Sequence, residues 1–103
     1  MTSPKEMNIT LRLILSVHPN VTMENISVLG LDYCGSLDAA VAALNALGLE
    51  WHKVGARTVD VFPRSRIANA MEDACDDSPA ALATALVQAA LRVLGEEETG
   101  DLG

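Results

Sequence analysis

Aromatic side chains are nearly missing from this chain: Tyr33, Trp51 and Phe62 are the only three in 103 residues. Half of the residues are apolar all the same, so the core has to be assembled from leucine, valine, isoleucine and alanine. No run approaches the roughly 18 consecutive apolar residues of a membrane-spanning helix, and no span is expected. The opening Met1-Thr2-Ser3-Pro4-Lys5-Glu6 lacks the basic start, apolar stretch and small-residue cleavage site of a secretory signal. Cysteine is equally scarce. Cys34 and Cys75 fit no metal or redox spacing, and read as reduced thiols of a protein working in the cytoplasm. The N-x-S/T triplets at Asn8, Asn20 and Asn25 are then chance matches rather than glycosylation sites.

Missing motifs narrow the chemistry further. There is no glycine-rich phosphate loop and no dinucleotide fingerprint. The alternating acids and central glycine of a calcium loop are absent as well. Histidine occurs only at His18 and His52, neither in a pattern with a cysteine, and nucleophilic catalysis needs such a base beside its nucleophile. No catalytic set, cofactor or metal is expected. Cys75 sits at core spacing and reads as a small buried apolar residue, whereas Cys34, in a Tyr-Cys-Gly loop, is the thiol expected near the surface.

What the chain does have is unevenly placed charge. The six acids and six bases of residues 1–66 cancel, while residues 67–103 carry eight acids and only Arg92, so the net charge of −7 belongs to the last third. Such polarity governs solubility and the steering of partners, not the fold.

The clearest element begins at Asp76-Asp77-Ser78-Pro79 and ends at Leu94-Gly95. Ser78 is a suitable N-cap, Pro79 suits the first helical position, and the two aspartates favour the positive end of the helix dipole. Thr84, Gln88 and Arg92 make one narrow polar stripe on an otherwise Ala/Leu/Val rod, so this helix should be largely buried. Gly95 is the expected stop. A second helix runs from Leu37 to Leu47, capped by Ser36 and closed by Gly48. Leu49–Val54 and Thr58–Phe62 read as strands joined by Gly55-Ala56-Arg57, with Pro63 ending the second. Residues 8–17 alternate apolar and polar, which favours a strand, although Ser3-Pro4-Lys5-Glu6 resembles a helix-starting capping box. Thr22–Leu29 reads equally as a short helix or a strand. Ile67, Met71 and Cys75 at helical spacing predict a short amphipathic helix over Ser65–Cys75. The expectation is one α+β domain over residues 1–95, a small antiparallel sheet of about three strands with helices packed on it. Covering both faces would make it an α-β-α sandwich. Residues 96–103 are expected to be a disordered acidic tail.

Tyr33-x-x-Ser36-Leu37-Asp38-Ala39-Ala40, Trp51 shortly after that helix, and Ser78-Pro79-Ala80-Ala81-Leu82-Ala83 leading into an Ala/Leu helix resemble the phage ABA sandwich domain family. The resemblance spans Tyr33 to Leu94. The family's last helix often carries a cysteine that this chain lacks. The resemblance implies an α-β-α fold and a bacteriophage or prophage setting, and no reaction.

Two surfaces stand out. Glu72, Asp73, Asp76 and Asp77 form the densest carboxylate group, with Glu72 and Asp76 on one face if the segment is helical. Its plainest role is a solvated turn that favours the following helix, and its functional role is docking on a basic partner. Lys53, Arg57, Arg64 and Arg66, beside His52, are the alternative: a basic hairpin for an anion, nucleotide or second messenger. Trp51 and Phe62 are expected in the core, and an exposed one would mark an interaction patch. Direct nucleic-acid binding is not expected of so acidic a chain. The reading these features support is a small non-enzymatic phage accessory protein, such as an anti-CRISPR-like inhibitor. It would set its acids into the nucleic-acid groove of a host protein. A homo-oligomeric structural protein, such as a homodimer, is the third reading.

Overall fold

The computed structural model describes residues 3–65 and 68–99. Pro4–Val17 is a helix, α1, and not the strand its alternation suggests. Ser3 accepts the Glu6 backbone N–H at 3.2 Å, with Pro4 in the first turn, so the local start signal prevails. The alternation is the sum of two helical stripes. Met7, Leu11 and Leu15, four apart, are buried, while Ile9, Leu13 and Val17, also four apart, are exposed. Two period-four stripes offset by two residues read as period two.

The ambiguous segment after α1 resolves into a 3₁₀ turn at Ile26–Gly30. It is held by the Tyr33 hydroxyl, which donates to the Val28 carbonyl. Helix α2, Leu37–Ala46, has Ser36 as its cap, accepting from the Ala39 N–H at 3.4 Å. The chain leaves it through Gly48 at φ +74°, a conformation that favours glycine.

Strands β1 (Leu49–Lys53) and β2 (Thr58–Pro63) form the expected antiparallel hairpin, with Trp51 opposite Val61 and Glu50 opposite Phe62. The third strand, β3, is Ala70–Asp73, inside the segment whose spacing suggested a helix. A four-residue spacing is also a multiple of two, and the free edge of β2 supplies a ladder, Val61 opposite Ala70 and Thr58 opposite Asp73. Ala70 and Ala74 are buried, while Met71 and Cys75 face out, where the helical expectation puts Met71 and Cys75 in the core beside those alanines. The sheet order is β1-β2-β3. The fold is α+β with a three-stranded antiparallel sheet, as expected. Its third strand is β3, in place of residues 8–17.

Helix α3, Pro79–Thr99, packs on β2, β3 and α2, while α2 also touches β1 and α1 packs on α3. Leu49, Val59, Val61 and Ala70 join Ala83, Leu86, Val87, Ala90 and Val93 in one core. The rod is thus largely buried. The opposite face of the sheet carries Glu50, His52, Asp60, Phe62, Met71 and Asp73, and among the described residues no helix covers it. Trp51, half-buried, joins the core, while Phe62 is buried from the other side, edge-on to His52 at 5.5 Å between ring centres. Gly95 does not stop α3, which continues to Thr99. Residues 100–103 of the expected acidic tail lie outside the described residues.

Candidate functional site

The carboxylate group forms around the turn from β3 into α3. Pairing alternates the residues of β3 between the faces of the sheet, and this divides the expected cluster. Glu72 points toward α3, where its carboxylate meets the Arg92 guanidinium at 2.7 Å. Arg92 also donates to the Met71 carbonyl at 3.3 Å. Glu72 and Asp76 share no helix face, because the segment holding Glu72 is a strand. Asp73, on the outer face, accepts from the Thr58 hydroxyl.

Asp76 and Asp77 occupy the turn itself, and both are exposed. Asp76 accepts the Ser78 N–H at 2.7 Å, and Ser78 in turn accepts the Ala81 N–H at 3.2 Å, so an aspartate supports the residue that caps α3. Hydrogen bonding from the Ser78 side chain, then from its backbone, holds the Asp76 carboxyl below its ordinary 3.8. Asp73, Asp76 and Asp77 therefore keep oxygen atoms for a partner, while Glu72 is engaged within the chain.

Beside this turn lies an open groove of about 460 Å³, bounded by Pro4 of α1, Asp73 and Asp76 of the turn, and Thr84 and Gln88 of α3, and otherwise lined mainly by alanine. Carboxylates at one end and methyl groups along the wall suit a lysine or arginine side chain, whose stem is apolar and whose head is charged.

The basic residues do not converge. Lys53 and Arg57 flank the hairpin turn, and Arg57 donates to the Cys75 carbonyl at 3.2 Å. Arg64 follows the far end of β2, roughly 20 Å away at strand spacing, and Arg66 lies outside the described residues. No family model, no curated protein and no solved structure matches this chain. The site is thus read from its own geometry.

That geometry reverses the expectation for the two thiols. Cys34 is buried, and burial chiefly, then the nearby Asp32 charge, push its pKa up to about 11. A thiol so disfavoured as thiolate is a poor nucleophile. Cys75 is exposed and faces the Asp76 carboxylate, with Sγ 3.9 Å from Oδ2. His52 lies 3.8 Å from Asp60, whose other oxygen accepts from Asn69 at 3.0 Å. His18 accepts the Asn20 N–H at 3.2 Å. Among the described residues neither histidine is bonded to a cysteine. Among the described residues no group of three or more His, Cys, Asp and Glu side chains is placed to hold a metal, and no helix is long and apolar enough to cross a membrane.

Sequence reasoning missed the Arg92–Glu72 pair because it joins residues 20 apart through a strand that was read as helix. It also missed the second stripe of α1, although the helix-starting signal at Ser3 pointed to it.

Proposed function

We propose that this chain is a small non-enzymatic docking protein that presents Asp73, Asp76 and Asp77 to a basic surface of a larger protein. The observation that carries the reading is the exposure of these carboxylates around one turn, beside a groove shaped for a cationic side chain. The turn is fixed by β3 on one side and the capped start of α3 on the other, so little ordering is lost on binding. The net charge of −7 would speed encounter with a positive partner.

The partner class that fits is a host protein whose basic groove handles nucleic acid. Occupation of that groove by carboxylates would inhibit it, in the manner of an anti-CRISPR-like protein acting in the bacterial cytoplasm. The resemblance to the phage ABA sandwich family is the reason for placing it in a phage or prophage. The basic hairpin offers less support for anion binding, because Arg64 stands apart from Lys53 and Arg57.

A pulldown from host lysate tests this, comparing the wild type with Asp77→Lys. Asp77 is exposed, so its substitution should leave the fold intact. Nucleic-acid-handling proteins should be captured by the wild type and lost with the variant. Capture should also fall between about 0.1 M and 1 M salt, as the screening length drops from about 10 Å to about 3 Å. Capture that ignores both changes would refute the reading.

A further inference from the structure

A helix with one buried stripe ordinarily turns a polar face to water. Helix α1 does not. Ile9 is 48 % exposed, Leu13 64 % and Val17 82 %, and at four-residue spacing they form one continuous ridge opposite the face carrying Met7, Leu11 and Leu15. Thr10 and Ser16 flank the ridge, and both hydroxyls are already used: Thr10 donates to the Glu6 carbonyl at 3.0 Å and Ser16 to the Leu13 carbonyl at 2.7 Å. The edge of the ridge can therefore be covered without leaving a donor unsatisfied.

We propose that the occupant is a second copy of this chain, with the two α1 helices antiparallel and a two-fold axis at Leu13. The ridge is symmetric about that residue. Leu13 meets its counterpart and Ile9 meets Val17 of the second copy, so the same patch serves both copies. Charge fixes the direction. The N-terminal end of α1 borders the acidic turn, since Pro4 shares its groove with Asp73 and Asp76. Parallel pairing would bring two acidic turns together. Antiparallel pairing separates them by the length of the helix, about 21 Å at 1.5 Å per residue, well beyond the screening length of about 8 Å at physiological salt. Glu6 lies on the ridge line, and α1 as a whole balances it with Lys5 and Arg12. An anionic membrane is a poorer occupant for so acidic a chain.

Three apolar side chains from each copy place this contact among small, reversible interfaces, so it should depend on concentration. Sedimentation equilibrium of the full chain tests it. The mass should rise from 10.9 kDa toward twice that value with concentration. Leu13→Glu, at an exposed position, should keep its helical circular dichroism and associate at least about tenfold more weakly, a change of 1.4 kcal/mol or more. In a Cys75→Ser background, Leu13→Cys should form a disulfide-linked dimer on oxidation, because the two-fold axis brings the residue against its own copy. Association should strengthen with salt, the opposite of capture by the acidic turn, so the two readings fail separately. A chain that stays monomeric at about millimolar concentration would overturn the proposal. So would a dimer that survives Leu13→Glu, or binding of anionic vesicles through α1 by a chain that remains monomeric.

Discussion

Asn8 Oδ1 accepts the backbone N–H of Cys34 at 3.0 Å, fastening the start of α1 to the loop before α2. The same side chain donates to Asp32 at 2.6 Å, and Asp32 also accepts the Gly35 N–H at 3.2 Å. From the other side, the Thr84 hydroxyl of α3 donates to the Cys34 carbonyl at 3.0 Å. One loop thus draws three helices to a point, and the two bonds to Cys34 satisfy its backbone N–H and carbonyl where they are partly buried. Asn8→Ala removes a donor and an acceptor and leaves the Cys34 N–H without its partner. It should cost about 1–3 kcal/mol, read as a lower urea midpoint with an unchanged slope. Trp51, the single tryptophan, is the natural probe.

The two thiols should behave oppositely. In the folded protein a disulfide reagent should modify Cys75 at once and Cys34 only through unfolding, giving one fast thiol of two. Cys34 also makes stability depend on pH. Its pKa is raised from 9.0 to about 11, so the folded state prefers the neutral thiol. The stability is fully present below about pH 9 and is lost progressively up to about pH 11. The loss should be on the order of 2–3 kcal/mol. Cys34→Ala should flatten this part of the profile, even if it lowers stability throughout.

The Arg92–Glu72 pair should contribute little on its own. Their side chains are 53 % and 19 % exposed, and a pair so open to solvent is worth at most about 1 kcal/mol. A double-mutant cycle with Glu72→Gln and Arg92→Gln should return a coupling in that range, shrinking with salt. Arg92→Gln alone should cost somewhat more than Glu72→Gln, because it also removes the bond to the Met71 carbonyl that ties α3 to β3. Glu72→Gln should leave partner capture unchanged, whereas Asp77→Lys removes it.

Legibility in the sequence followed locality. Ser36, Gly48, Ser78 and Pro79 act through neighbours three or four residues away, and α2 and the start of α3 were readable for that reason. The β1–β2 hairpin is local too. β3 was not readable, because what makes Ala70–Asp73 a strand is the edge of β2, and a four-residue apolar spacing suits either structure. α1 is hidden for a related reason: a helix ordinarily carries one apolar stripe, α1 carries two, and together they give an apparent period of two. The acidic residues were found as a group, but their division between Arg92 and solvent depends on which way each points from a strand. The outward Cys75 follows from the strand over residues 70–73, whereas Cys34 is buried because α1 and α3 fasten its loop.

Tyr33 offers the cleanest measure of how firmly the 3₁₀ turn is held. It is fully buried, and its hydroxyl gives the Val28 carbonyl a side-chain partner across five residues. Tyr33→Phe keeps the ring and removes the bond, and should cost about 1–2 kcal/mol. Tyr33→Ala also opens a cavity and should cost about 3–5 kcal/mol. Burial raises the phenol pKa above 10.0, against a smaller lowering by Arg12. Stability from the neutral phenol is therefore fully present below pH 10 and is lost as pH rises through the folded value, adding to the loss at Cys34. Since Tyr33 is the sole tyrosine, phenolate absorbance reports on it alone. Ionisation should appear only above pH 10 and together with the loss of Trp51 burial. A phenolate that forms at its ordinary pH while Trp51 stays packed would show that the hydroxyl is in water and that the Tyr33–Val28 bond does not hold the turn.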